Sequence, residues 1–463
     1  MRAVSPLFRR IITLFCLAAL ALGPFRAACA QQGQRLNLIR DAEIENTIRT
    51  FVIPIWQVAG LNPEAVSIVL VQDGSLNAFV AGGQRIFINT GLIMRTSRPN
   101  QLIGVLAHET GHISGGHLAR MHEELSALST MQILEAILGA AAIGGSAVSG
   151  GTMGRGGPMG STGTGKPPVP GSLLAFLKYT QTQENAADQA AISFLDKTKQ
   201  SPKGTVEFLR VLEREERVQV GRRDAYLTTH PLTPDRISTF ELAAGRSPYV
   251  DTPDSPRFVE MHARMVAKLW GFVAPDAALQ RYAEGDRAVA SRYARAIALY
   301  RKGALGSALL TIDGLLKEHP NDPYFHELRG QMLYENGRAN ESIASYKRAV
   351  QLNGAGVMKI DYARALLETN TPENDREAIR NLEIARQTEA ESFDLWRMLA
   401  SGYSRQNNPG MTSLARAEMA VLRGNRSEAQ SHAAAAVSQL PRNTPAWHRA
   451  EDIKAYINSR PRH

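Results

Sequence analysis

The pentad His108-Glu109-Thr110-Gly111-His112 constrains the local fold more than any other feature of this 463-residue chain. Two histidines four positions apart project from one face of an α-helix, about 6 Å apart along its axis. Both imidazoles can then bind one tetrahedral zinc ion, and the carboxylate of Glu109 can accept a proton from water. Residues 102–107 carry no charge, so the helix is predicted to be mostly buried, where its polar groups need partners. The alternative is an amphipathic helix whose polar face holds two histidines.

Residues 1–30 are predicted to be a cleaved signal peptide. Arginines precede the apolar stretch 11–22, and Ala28-Cys29-Ala30 is typical of a cleavage site. A lipoprotein signal around Cys29 is the alternative, although Arg26 stands where an apolar residue would be wanted. Cleavage would remove four arginines and no acid, which lowers the formal charge from +9 to +5, and would remove both cysteines. The mature chain would then be stabilised by packed cores without disulfides, in two or three domains.

Hydropathy and charge exclude some classes of function. After the leader, no segment offers about 18 uncharged apolar residues, which argues against a membrane-spanning protein. The positive charges are scattered and no nucleic-acid-binding motif is present, so no nucleic-acid partner is expected. Moderate basicity is compatible with peripheral contact with an anionic membrane surface.

The first part of the mature chain is predicted to mix helices and strands. A helix over residues 40–56 precedes strands at 67–71, 78–80 and 85–89, and Gly82-Gly83 is typical of a hairpin turn between the last two. The pentad helix is predicted to begin near Asn100 and to continue past Arg120.

Two further segments follow the pentad helix. Glycine and proline dominate residues 139–171, which are predicted to be a flexible loop, either a lid over a site or a disordered insertion. Residues 172–197 are predicted to be a second helix, with Glu184 and Asp188 on one side of it.

A period of 34 residues appears after about residue 291. Gly303 recurs as Gly337, and Ile312 recurs as Tyr346. Small residues at fixed positions let antiparallel helices approach closely, and larger ones fill the space between pairs. The pattern resembles the tetratricopeptide repeat, whose helical solenoids bind polypeptide. Further units are centred on Tyr362, Ala378 and Ala385 and on Gly424, Ala429 and Ala433, and a helix with Trp396, Leu399 and Tyr403 has no clear partner.

A catalytic zinc needs a third protein ligand. On a continuous helix, His117 would lie about 140° from the ligand face, and His122 would lie about 80° from it and ~15 Å along the axis, which excludes His122. His117 is expected to be an outer contact or exposed. Glu184 can be the ligand, with Asp188 hydrogen-bonded to a ligand imidazole. The alternative is an exposed helix face with two like charges.

These motifs, together with Thr229-His230-Pro231-Leu232, resemble zinc metallopeptidase family 48, the family of the CAAX prenyl protease. The resemblance implies that His108, His112 and Glu184 bind one Zn²⁺ per chain and that Glu109 is the general base. It also implies that His230 approaches the metal from a loop. There it would occupy the open position, stabilise an oxyanion, or be an ordinary loop residue. Asp188 and Arg236 would support the ligands.

The leader and the repeats resemble the periplasmic branch of this family. The resemblance implies a periplasmic endopeptidase, associated with the outer membrane or free, that acts on unfolded or misassembled outer-membrane proteins together with the barrel-assembly machinery. The alternative is a chaperone or scaffold with a largely latent peptidase site. The segment 77–83 resembles an edge strand that can receive a substrate by strand addition.

The predicted fold class is mainly α (α+β). A zincin-type α/β metalloprotease domain over residues 31–270 is followed by an α-helical repeat solenoid over 271–463.

Overall fold

The computed structural model describes residues 38–117, 181–218, 230 and 234–459. The predicted signal peptide, the Gly/Pro-rich segment 139–171, residues 172–180 of the second helix and His122 lie outside the described residues. Among the helices that are described, none combines the length and apolarity needed to cross a membrane.

A four-stranded sheet lies in the first half of the described chain. Its strands are β1 (Leu38–Ile39), β2 (Ser67–Val71), β3 (Ala78–Ala81) and β4 (Arg85–Asn89). Their order is β1-β2-β4-β3, with β4 parallel to β2 and antiparallel to β3. Gly82 and Gly83 form the β3–β4 turn at φ +58° and +91°, a region that favours glycine. The predicted hairpin is therefore confirmed, and β3 ends the sheet.

Helices of the first half share one apolar core with the sheet. They are α1 (Ala42–Val58), α2 (Thr90–Arg95), α3 (Pro99–Ser114), α4 (Gln181–Lys197), α5 (Lys203–Val218), α6 (Pro234–Gly245) and α7 (Pro256–Val273). Every residue of α3 from Pro99 to His112 is buried, as its uncharged sequence predicted. The pentad therefore lies inside the molecule, and its polar side chains must find partners there.

The pentad helix is shorter than the sequence predicted, because it ends at Ser114 instead of continuing past Arg120. Gly116 has φ +64°, and its N–H donates to the carbonyl of Ile113. The next N–H, of His117, donates to the carbonyl of His112 at 3.2 Å. These two bonds and a left-handed glycine form a Schellman termination, which turns the chain back towards the helix.

The second half consists of helices arranged in consecutive pairs. After α8 (Pro275–Arg281) they are α9 (Val289–Arg301), α10 (Leu305–Glu318), α11 (Pro323–Glu335), α12 (Ala339–Leu352), α13 (Gly356–Glu368), α14 (Pro372–Ala385), α15 (Phe393–Arg405), α16 (Pro409–Leu422), α17 (Arg426–Gln439) and α18 (Pro445–Ser459). Gly303 and Gly337 lie in equivalent turns at φ +81° and +75°. The helix with Trp396 packs against α16. The predicted α-helical repeat region is confirmed, and its assignment as tetratricopeptide stays a prediction.

Charged side chains that are mostly buried connect α1, α7 and α9. The ammonium group of Lys268 lies 2.7 Å from Asp41 and 3.4 Å from Glu43. Glu43 also pairs with Arg264 at 2.7 Å and accepts a hydrogen bond from the hydroxyl of Tyr293 at 2.7 Å. Removing one partner of such a network leaves a buried charge without its counter-ion, which lowers the free energy of unfolding by several kcal/mol. The predicted boundary between the two domains falls inside α7 and stays a prediction.

A buried histidine on α7 predicts a pH-dependent stability. Nε2 of His262 lies 2.8 Å from the hydroxyl of Thr96, which itself donates to the carbonyl of Ile93, so Nε2–H is the donor. Burial lowers the pKa of His262 to about 4. Because the unfolded chain binds a proton near pH 6.5, stability is lost as the pH falls from 6.5 towards 4, by about 2 kcal/mol between pH 7 and pH 5.

The matched variant is His262→Gln, whose amide can donate to Thr96 but does not titrate. We expect the free energy of unfolding in urea to fall by about 2 kcal/mol less in the variant than in the wild type between pH 7 and pH 5. Equal losses in the two proteins would contradict this account of His262.

Candidate metal centre

Four buried side chains converge at the centre of the first half. His108 and His112 come from α3, Glu184 comes from α4, and His230 precedes α6. One ligand atom from each lies within 4.8 Å of all the others. These four residues are called the ligand cluster below. The structure thus brings together the three predicted ligands and the predicted loop histidine, while Pro231 and Leu232 of its motif lie outside the described residues.

The spacing of the donor atoms suits a tetrahedral ion. Nε2 of His112 lies 3.1 Å from Nε2 of His108. Oε2 of Glu184 lies 3.4 Å from Nε2 of His108, and Oε1 lies 3.4 Å from Nε2 of His112. Nδ1 of His230 lies 3.4 Å from Nε2 of His108 and 3.0 Å from Glu184. A tetrahedron with bonds of about 2.0–2.1 Å has edges of about 3.3 Å. Imidazole nitrogens with one carboxylate are a donor set that zinc accepts.

Close packing of two helices makes this convergence possible. A Cβ atom on Gly111 would lie 2.9 Å from both the Cα and the carbonyl oxygen of Ala187. Only a glycine on α3 facing a small residue on α4 lets the backbones approach so closely. Glu184, one turn before Ala187, is thereby brought within reach of the two histidines of α3.

A second set of contacts orients the ligand cluster. Nδ1 of His108 lies 2.8 Å from Asp188, so this imidazole donates to a carboxylate while Nε2 faces the cluster. Arg236 donates to both oxygens of Asp188 at 2.9 Å and lies 2.6 Å from Glu184. One guanidinium therefore ties together the two carboxylates of α4. A hydrogen bond to the far nitrogen of a ligand histidine fixes its ring and tautomer.

The electrostatics of the cluster favour a positive charge. Burial lowers the pKa of His108, but hydrogen bonds to Asp188 and Glu184 outweigh this and raise it to about 10. Burial raises the pKa of Glu184, yet the three nearby histidines bring it well below its usual range. The field of the ionised carboxylates would thus hold an extra proton on the imidazole of His108 at neutral pH. The same field favours binding of a cation.

Glu109 is buried beside the cluster and is not part of it. Among the described residues, neither of its carboxylate oxygens has a hydrogen-bond partner. Nε2 of His230 lies 3.4 Å from Oε1 of Glu109. Burial raises the pKa of Glu109 to about 6, against the opposing effect of His230 and His108. A carboxylate with such a pKa is well matched to accepting and returning a proton near neutral pH.

His117 also contacts the centre, which the sequence analysis left undecided. Its Nδ1 lies 2.9 Å from Nδ1 of His112. His117 would lie off the ligand face on a continuous helix, but α3 ends at Ser114, before it reaches His117. The Schellman turn at Gly116 was the missed signal, since Gly115-Gly116 after the pentad is a typical helix terminator.

Comparisons with known proteins agree with this geometry. Residues 39–243 match the model for Peptidase family M48. The β-barrel assembly-enhancing protease of Escherichia coli strain K12 is 25% identical over 379 residues, which are 80% of this chain and 74% of that protein. The protein of the same name from Yersinia pestis is 25% identical over 370 residues, 78% of this chain and 72% of its own length. A putative β-barrel assembly-enhancing protease of Vibrio cholerae is 25% identical over 363 residues, 77% and 72% of the two chains.

Proposed function

We propose that the protein is a zinc-dependent endopeptidase of the periplasm, on the premise that residues 39–243, which match the model for Peptidase family M48, belong to a metallopeptidase domain. The observation that carries the proposal is the buried ligand cluster with the carboxylate of Glu109 beside it. One zinc ion per chain would be held by His108, His112 and Glu184. That donor set is the one expected for a catalytic zinc, because three protein ligands leave one position free.

The residues of this site divide the chemistry between them. Bound zinc would supply Lewis acidity to the scissile carbonyl and to a water molecule. Glu109 would take the proton from that water and later return it to the leaving amine nitrogen. Asp188 and Arg236 would keep His108 and Glu184 oriented throughout, because the guanidinium contacts both carboxylates. Burial of the whole arrangement strengthens each of these electrostatic interactions.

We propose that a polypeptide substrate binds along strand β3. It is the last strand in the sheet order, so in the described part of the chain one of its edges pairs with β4 and the other pairs with no strand. All four residues of β3 are buried, so an extended substrate would add to that edge, through backbone hydrogen bonds, only once the edge is uncovered. β3 also contacts α3, the helix that carries the pentad. A substrate on β3 would therefore lie next to the helix of the metal ligands.

The names of the similar proteins supply the proposed substrate class. Three of them are called β-barrel assembly-enhancing proteases or putative ones. We propose that this protein likewise hydrolyses misfolded or stalled outer-membrane proteins, in contact with the barrel-assembly machinery and with its repeats holding substrate or partner. Such helical arrays present a concave surface to extended chains.

The second candidate function is a chaperone or scaffold whose peptidase site is largely latent. The position of His230 favours it, because Nδ1 of this residue lies with the donor atoms of the ligand cluster. A fourth protein ligand would occupy the position that hydrolysis needs. The two functions are compatible if His230 can leave the cluster.

Substitution of Glu184 tests the metal site. In Glu184→Ala we expect the zinc content to fall from about one per chain to a small fraction, and casein cleavage to be lost, because one of three ligands is gone and Arg236 loses an acidic partner. Zinc is measured by mass spectrometry after dialysis. The matched control is Glu207→Ala, which removes a carboxylate that pairs with Arg98 away from the cluster. Equal zinc content in Glu184→Ala and the wild type would overturn the ligand assignment.

A further inference from the structure

We infer that His117 is a positioning residue that holds His112 in its ligand orientation by accepting a hydrogen bond from Nδ1–H of that imidazole. This inference rests on the proposed metal site and adds a residue to it. His117 lies five positions beyond the pentad and is not one of the four residues of the ligand cluster.

The contact is close and directional. The two Nδ1 atoms are 2.9 Å apart, and the rings meet edge to face, with centroids 5.0 Å apart and planes at 74°. The other nitrogen of His112, Nε2, lies 3.1 Å from Nε2 of His108 and 3.4 Å from Glu184. The imidazole of His112 is thus held at both ends, with Nε2 in the ligand cluster and Nδ1 at His117.

The direction of the hydrogen bond follows from the tautomers. A ligand nitrogen must keep its lone pair free, so Nε2 of His112 carries no proton and Nδ1 carries one. Nδ1 of His117 is therefore the acceptor, and the proton of that neutral ring is on its Nε2. His108 meets the same requirement differently, because it donates to the carboxylate of Asp188.

A neutral acceptor suits this position. Glu109, Glu184 and Asp188 already bury three carboxylates around the cluster, and Arg236 is the cation that pairs with two of them. A further carboxylate would add like-charge repulsion and another desolvation cost. An imidazole accepts the hydrogen bond without adding charge.

The end of α3 is built to bring His117 to this place. The left-handed Gly116 reverses the chain, and the N–H of His117 donates to the carbonyl of His112. Gly115 leaves room for the ring, since a Cβ atom there would lie 2.6 Å from Nε2 of His117. Backbone and side chain of His117 therefore both bind the same residue, one through its carbonyl and one through its imidazole.

The test uses the full-length mature chain and four variants. We expect His117→Ala to raise the zinc dissociation constant 10- to 100-fold, the usual effect of losing an outer hydrogen bond to a ligand. Gly115→Ala should weaken zinc binding in the same direction, because it displaces the ring. In His117→Asn, Oδ1 takes the place of Nδ1 and can accept the same bond, so affinity should return to within a few-fold of the wild type. Ser114→Ala, at the same helix end, is the control and should be unchanged.

Two readouts separate positioning from general destabilisation. Zinc affinity is measured by competition with a chromophoric chelator, and the visible absorption of the Co²⁺-loaded protein reports the geometry at the ion. We expect an altered cobalt spectrum in His117→Ala and a restored one in His117→Asn, while the thermal unfolding midpoints of the metal-free proteins stay close together. Wild-type affinity and spectrum in His117→Ala would overturn the inference, and so would equal weakening by Ala and Asn. A wild type that binds no zinc would instead refute the proposed metal site.

Discussion

Glu109→Gln is expected to lower peptide hydrolysis by about 10³-fold while the zinc content stays near one per chain. The amide has the shape of the carboxylate but cannot take a proton from water. Glu109 lies outside the ligand cluster, and the hydrogen-bond network of the described residues leaves both of its oxygens without a partner, so little structure depends on its charge. The measurement is kcat/KM on an unstructured fluorogenic peptide, alongside metal analysis of the same sample.

The control for this substitution is Glu207→Gln. It changes a carboxylate on α5 that pairs with Arg98 and is neither a proposed metal ligand nor a proposed catalytic group. It should retain wild-type hydrolysis. A loss of less than tenfold in Glu109→Gln would rule out Glu109 as the general base. Loss of zinc together with activity would instead make Glu109 part of the ligand set.

The parts of this site that the sequence predicted are those with a local cause. The pentad places two nitrogens on one helix face by helix geometry alone. Glu184 and Asp188 stood out because two acids one turn apart share a side of the helix with apolar residues, and such acids need an explanation. The strands flanking Gly82-Gly83 could also be predicted from local sequence, since the glycine turn and the apolar residues on either side of it define a hairpin.

The parts that the sequence did not predict depend on a single turn or on distant partners. The contact of His117 with His112 was not predicted, because Gly116 at positive φ changes the direction of the chain just before His117. The charge network between α1, α7 and α9 pairs Asp41 and Glu43 with residues more than 200 positions away in the chain. No periodicity reveals such pairs, because each member alone reads as an ordinary surface charge.

This network bears on how the repeats can be studied. Glu43 forms an ion pair with Arg264 and accepts a hydrogen bond from the hydroxyl of Tyr293, which lies in α9. Arg264 in turn pairs with Asp322 and lies over the ring of Phe325 at 4.4 Å, both in the next pair of helices. Removing the repeats would expose Arg264, which is now largely covered, together with its acidic partner Glu43. Substitutions on the repeat surface therefore separate substrate holding from folding better than truncation does.

His230→Ala is expected to raise basal peptide cleavage about tenfold, the gain that follows if the closed arrangement is favoured by about 1.4 kcal/mol. Nδ1 of His230 lies 3.0 Å from Glu184, at the fourth corner of the ligand cluster, and Nε2 lies 3.4 Å from Glu109. In this position the side chain blocks both the free ligand position and the proposed base. A substrate or partner that draws His230 away would open the site, which would make the position of His230 a two-state element.

The opposite outcome has its own physical meaning. If His230 stabilises the oxyanion, its removal should lower cleavage by about 10²-fold or more, since such donors act mainly in the transition state. An unchanged rate would leave His230 with neither role. The assay uses an unstructured peptide, with cleavage within the Gly/Pro-rich segment 139–171 of the chain itself as a second readout. His448→Ala, an exposed histidine in the last helix, is the matched control. Zinc content should remain near one per chain in His230→Ala, because His108, His112 and Glu184 stay in place. With zinc unchanged, a higher cleavage rate would report release of the site, and a lower rate would report loss of a catalytic group.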